Sequence, residues 1–149
     1  MHIGKSIRME RIFNRTTKRC IIVPMDHGVS VGPIPGLVDA KSAVSEVAEG
    51  GADAVLMHKG LVRCGHRHGG RDLGLIVHLS ASSNLSPNAN SKVQVATVED
   101  ALKMGADLSD LEMEVTEAQE FNMIRGSSRT GKNIRIKIQI KPGLIAVCA

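Results

Sequence analysis

The stretch Arg19-Cys20-Ile21-Ile22-Val23-Pro24-Met25-Asp26-His27-Gly28-Val29-Ser30-Val31-Gly32-Pro33 decides the fold. A run of apolar, mostly β-branched residues leads straight into Asp-His-Gly and then into Gly and Pro. This pattern predicts a buried strand that delivers polar side chains at its C-terminal end, followed by a loop. Strands of parallel sheets and barrels are apolar on both faces, so the first carboxylate and imidazole appear where the strand meets solvent. Asp26 is the first candidate for chemistry on that ground, and His27 stands beside it.

Outward from this stretch the pattern repeats. Leu37, Ala40, Val44 and Val47 share one helical face, and Gly50-Gly51 stops that helix. Ala52 to Met57 reads as a second buried strand ending in His58-Lys59-Gly60. Residues 61–72 form a basic, Gly-rich loop. Leu73 to Leu79 makes a third strand with Ser80-Ala81-Ser82-Ser83-Asn84 after it, and Lys92 to Ala96 a fourth short piece. Thr97-Val98-Glu99-Asp100 has the spacing of a capping box opening a helix that runs to Met104. Glu49-Gly50-Gly51-Ala52-Asp53 and Lys103-Met104-Gly105-Ala106-Asp107 each close a helix with Gly and open a strand with Ala-Asp, at an interval that two βα units fill. Strands alternating with helices, with polar residues at strand ends, predict an α/β fold and part of a (β/α)₈ TIM barrel, about its first four βα units.

The flanks read differently. Residues 1–19 are basic, with Ile7, Met9, Ile12 and Phe13 among the charges; a solvated lead-in is expected there rather than a packed helix. After Asp107 the run Leu108 to Val115 is too acidic for a strand buried on both faces and is expected to be helical. Asn133 to Ile140 alternates as a half-exposed strand does. Gly126 to Lys132 has a P-loop outline but ends in Asn133, so no phosphate loop is expected. The expected division is therefore 1–107 as the barrel-like part and 108–149 as an atypical tail, of the kind that truncation or a frameshift leaves.

Composition narrows the function classes. The chain has 149 residues, two Phe, and neither Tyr nor Trp, so the large side chains that anchor interfaces and stack on bases are nearly absent. Its net charge of +4, from 19 Lys and Arg against 15 Asp and Glu, is the one feature favouring nucleic acid, and no reading motif accompanies it. Three Cys without paired spacing predict neither a disulfide framework nor a zinc site and fit a cytoplasmic protein with reduced thiols. No window approaches the apolar length of a membrane span. The six His include no HExxH or comparable pair, so no metal is expected. Lys59 at a strand end is open to a Schiff-base reading, although a solvated lysine is commoner.

Val23 to Ser30, Glu49 to Gly60 and His78 to Ser83 together resemble the DhnA-type class I aldolases of archaea, most closely the branch that makes 2-amino-3,7-dideoxy-D-threo-hept-6-ulosonate, with the archaeal class I fructose-bisphosphate aldolases near it. The resemblance spans roughly residues 4–107. It implies a TIM barrel in which a lysine late in the chain forms a Schiff base with a ketose phosphate, a tyrosine donates a proton, and the Asp of the Asp-His-Gly block accepts one. No further cofactor is implied. In the first branch the ketose phosphate is condensed with L-aspartate semialdehyde on a route to 3-dehydroquinate and aromatic amino acids. Carried over by position, Asp26 is the proton acceptor, and Asp26, His27, Gly28, Val29 and Ser30 line the ketose-phosphate site. The family's tyrosine has no counterpart, and no lysine stands at a matching position. The chain alone is therefore expected to be inactive and to associate with itself; a non-catalytic half-barrel is the alternative.

Overall fold

The computed structural model describes residues 3–63, 72–89, 91–110 and 146–148. The elements run α1 (Ile3–Ile12), β1 (Cys20–Pro24), α2 (His27–Val31), α3 (Ala40–Glu49), β2 (Ala54–His58), α4 (Lys59–Val62), β3 (Gly74–His78), β4 (Ser80–Ala81), β5 (Val93–Gln94), α5 (Val98–Lys103), β6 (Leu108–Asp110) and β7 (Ala146–Cys148). The main sheet has the order β6-β3-β2-β1-β7. The first four of these strands are mutually parallel, and β7 lies antiparallel to β1. This is the expected α/β arrangement of successive barrel strands.

Strand alternation divides the interior in two. Cys20, Ile22, Ala54, Leu56, Ile76 and Leu108 point to one face, where Ile12 of α1 packs among them with Met9 and Phe13. Val55 and Met57 point to the other, against Ala43 and Val44 of α3. The helix α3 begins where the Asp39 carboxylate accepts from the Lys41 and Ser42 N–H groups, and it ends at Gly50-Gly51, with Gly51 at φ 89°. At α5 the Thr97 hydroxyl and the Asp100 carboxylate cap each other's backbone, as the spacing predicts.

The repeated Gly-Ala-Asp has a structural cause. Gly51 and Gly105 both take positive φ, and Ala52 and Ala106 are both buried. The Asp53 N–H donates to the Ile21 carbonyl while its carboxylate accepts from the Ile21 N–H; Asp107 does the same with Leu75. Each Asp thus pins the start of its own strand to a strand already in the sheet.

Three expectations are corrected. The N-terminal segment is a helix, not a solvated lead-in, because Ile12 fills a hollow over Gly74: a Cβ there would come within 2.7 Å of Ile12 Cγ1. Leu108–Asp110 is a strand and not helical. Only Leu108 needs an apolar setting, and the acid before it, Asp107, is buried against Arg11 at 3.1 Å and the Leu75 N–H. The sheet therefore continues past Asp107. The piece within Lys92–Ala96 is not a barrel strand: Val93 and Gln94 are exposed and pair antiparallel only with Ser80–Ala81. Residues 111–115, the alternating Asn133 to Ile140 and the Gly126 to Lys132 outline lie outside the described residues.

Candidate active site

The chemistry gathers at the C-terminal ends of the parallel strands. Pro24, His58 and His78 end β1, β2 and β3, and alternation puts His58 and His78 on the face of Ala54, Leu56 and Ile76. His58 and His78 are register partners, so their imidazoles stack 4.9 Å apart, close to the spacing between strands, with only 10° between their planes. The Met25 N–H donates to the Leu56 carbonyl at 2.7 Å, which extends the β1–β2 pairing and brings Asp26 to the same end.

Asp26 occupies the N-cap position of α2, yet its carboxylate makes no cap hydrogen bond. It reaches across the sheet instead: Oδ2 lies 2.6 Å from His78 Nδ1, and Oδ1 lies 3.9 Å from His27 Nδ1. The far nitrogen of His78, Nε2, is 3.1 Å from the hydroxyl of Ser80, a residue with no exposed surface. Burial works to raise the Asp26 carboxyl, but the His78 hydrogen bond and charge together outweigh it and hold the group below its usual range. His58 is pushed the other way from charge: burial first, then the like charge of His78, lower it below the ordinary histidine value. Its Nδ1 is buried without a hydrogen-bond partner, and so is that of His27.

The segment after Asp26 is a helical turn, not an open loop, and it ends at Gly32 with φ 85°. His27 and Ser30 are half-buried, Val29 is exposed, and open space surrounds Gly28. The Ser30 carbonyl accepts from the Asn84 N–H at 3.0 Å and so ties this turn to the loop after β4. Lys59 is exposed on α4. It lines a separate cleft of about 330 Å³ with Gln94, Val95, Ala96, Thr97 and Asp100, which none of Asp26, His58 and His78 enters. The burial that would free its amine is lacking.

Two of the six histidines meet at one carboxylate. Donor atoms of Asp26, His58 and His78 lie within 4.8 Å of one another, a grouping with no linear spacing to betray it. The geometry is nonetheless that of a hydrogen-bond network. Two ligands on a tetrahedral ion, each about 2.1 Å from it, stand about 3.4 Å apart, well beyond 2.6 Å. Nearly parallel stacked rings also aim their in-plane lone pairs along separate planes. What sequence reading missed is the bond from His78 to Asp26 and the part of Ser80, which depend on sheet register.

The model of the DeoC/LacD aldolase family matches residues 20–140. The chain is 42% identical over 121 residues to 2-amino-3,7-dideoxy-D-threo-hept-6-ulosonate synthase of Halobacterium salinarum, covering 81% of this chain and 44% of that protein. It is 38% identical over 122 residues to synthase 1 of the same name from Archaeoglobus fulgidus, covering 80% and 45%. It is 36% identical over 104 residues to 2-amino-4,5-dihydroxy-6-oxo-7-(phosphonooxy)heptanoate synthase of Streptomyces griseus, covering 70% and 38%. The chain thus spans less than half the length of these curated relatives. Among solved structures, an archaeal fructose 1,6-bisphosphate aldolase superposes with a TM-score of 0.65 at 23% identity, over 84% of this chain and 50% of that one, which establishes the shared partial-barrel fold. Aligned over more than half its length with one family model and bearing its polar residues at the strand ends, the chain belongs to the DeoC/LacD family of aldolases.

Proposed function

We propose that this chain carries the proton-accepting part of a class I, Schiff-base aldolase site acting on a ketose phosphate, with Asp26 as the acceptor. The observation that carries the reading is the Asp26 carboxylate at the end of β1, held ionised by His78 at 2.6 Å and set beside a turn with open space at Gly28. A carboxylate kept charged within low-dielectric walls accepts a proton from a substrate hydroxyl as the carbon–carbon bond breaks, and returns it in condensation. Asp26, His27, Gly28, Val29 and Ser30 line the ketose-phosphate site. The relatives' names favour the reaction that makes 2-amino-3,7-dideoxy-D-threo-hept-6-ulosonate, and the family resemblance adds L-aspartate semialdehyde as the acceptor and a cytoplasmic route to aromatic amino acids.

The 149-residue chain by itself has little or no aldolase activity. It has no tyrosine, and Lys59 is exposed in a cleft apart from Asp26. Borohydride reduction in the presence of a ketose phosphate should leave every lysine unmodified; an adduct on Lys59 or any other lysine would overturn the claim of inactivity. Mixing the chain with a separately produced C-terminal half of the Halobacterium salinarum synthase tests the role of Asp26. Turnover should appear in the mixture and be lost with Asp26→Asn. Full turnover with that variant would remove Asp26 from the mechanism.

A further inference from the structure

The line Asp26 Oδ2, His78 Nδ1, His78 Nε2, Ser80 Oγ has the connectivity of an acid, a histidine and a serine in series, at 2.6 and 3.1 Å. In hydrolases with that connectivity the serine is the nucleophile, and the acid fixes the histidine tautomer. Burial forbids this reading here, because Ser80 has no exposed surface and an acyl group has no way to reach it. Ser80 is an anchor for the ring here, not a nucleophile. A serine hydroxyl both donates and accepts, whereas an ionised carboxylate only accepts. The bond to Asp26 therefore requires a proton on His78 Nδ1, and Ser80, able to donate or accept, holds Nε2.

We propose that His78 is a positioning residue for Asp26, with Ser80 anchoring the far side of its ring: it donates from Nδ1 to Oδ2, and so leaves Oδ1, the oxygen on the His27 side, as the atom that takes the substrate proton. This rests on the reading of Asp26 as proton acceptor, but its geometry is testable without substrate. The stacked His58 and the buried Ser80 make the arrangement rigid before any ligand arrives, which is how a base is kept at a productive angle.

Nitrogen-15 NMR of the uniformly labelled chain decides it. Long-range proton–nitrogen correlations should show a proton on His78 Nδ1, facing the Asp26 carboxylate. Ser80→Ala should shift the His78 Nε2 resonance and leave the Nδ1 proton in place while the backbone spectrum stays folded. The Asp26 carboxyl carbon should titrate below the ordinary carboxylate range in the parent and higher in His78→Leu, where only its own backbone hydrogen bond and His27 still oppose burial, with His78→Gln, which keeps a donor, in between. A His78 with no proton on Nδ1, or an Asp26 midpoint unmoved in a folded His78→Leu, would overturn the proposal. Should His78→Leu not fold, the Nδ1 proton in the parent and in Ser80→Ala still decides. If the network is present but Asp26→Asn leaves the reconstituted barrel active, the functional reading fails and the positioning geometry stands.

Discussion

Asp26 and His58 make the stability of the chain depend on pH in the same direction, for opposite electrostatic reasons. Asp26 is lowered from 3.8 in the fold, so its contribution is complete above 3.8 and is lost as pH falls through the folded value. His58 is lowered from 6.5, so the unfolded chain binds its proton first, and stability declines as pH drops below 6.5, flattening once the folded imidazole also charges. Urea midpoints measured from pH 8 down to 3 should show two declines, one beginning near 6.5 and one below 3.8, and His58→Gln should abolish only the first. A midpoint constant between pH 7 and 5 in the parent would show that His58 is not held neutral. Asp26 was legible in the sequence because the apolar run of β1 leads into it. Its partner was not, because the two stand 52 positions apart and meet only through the register of three strands. A stack such as that of His58 on His78 needs in-register parallel neighbours, which residue spacing does not specify.

Among the elements, α1 shows where sequence patterning stops short. Its amphipathic face is unremarkable on its own; what docks it is a missing side chain on β3, at Gly74, some sixty positions away. There a Cβ would meet Ile12 Cγ1 at 2.7 Å, Ala54 Cβ at 3.2 Å and the Asp53 carbonyl oxygen at 3.3 Å. Ile12→Ala should cost about 2–5 kcal/mol, the range for emptying a fully buried aliphatic site, and Gly74→Ala about 1–3 kcal/mol from overpacking. A denaturant midpoint unchanged in both would return α1 to the status of a solvated lead-in. The second Gly-Ala-Asp can be tested by the same measurement. Asp107 is buried, accepts from the Leu75 N–H and pairs with Arg11, so Asp107→Ala should cost about 1–3 kcal/mol for a lost partner to buried backbone. The repeat itself was visible in the sequence, whereas its role as a strand clamp was not. That blindness contributed to the misreading of Leu108–Asp110: the run was judged on its own acids, whereas the residue that clamps the strand in place, Asp107, stands just before it.

At the scale of the whole molecule, four parallel strands make half of the eight that close a barrel, and among the described residues the sheet is open. The strand β6 pairs with β3 on one side, and no described strand lies on its other side. Across the sheet β7 covers β1 only along Cys20, Ile22 and the residue between them, while Val23 and Pro24 run on past it. Open edges recruit other strands. Apolar side chains also remain in water, Ile3 at 77% exposed and Leu85 at 96% among them, and burying such surface is worth about 25 cal/mol per Å². We expect the chain to associate with itself, joining the two open sheets so that each supplies strands the other lacks. Sedimentation should then give a weight-average mass that rises with concentration, and the urea midpoint should rise with it, since association stabilises the folded state by mass action. Removing β6 separates edge pairing from general stickiness. A chain ending at Asp107 loses Leu108 from the core and should fall by more than about 2 kcal/mol against one ending at Asp110, with a changed association constant. A compact monomer whose cooperative unfolding is independent of concentration would show that this half-barrel closes its own edges.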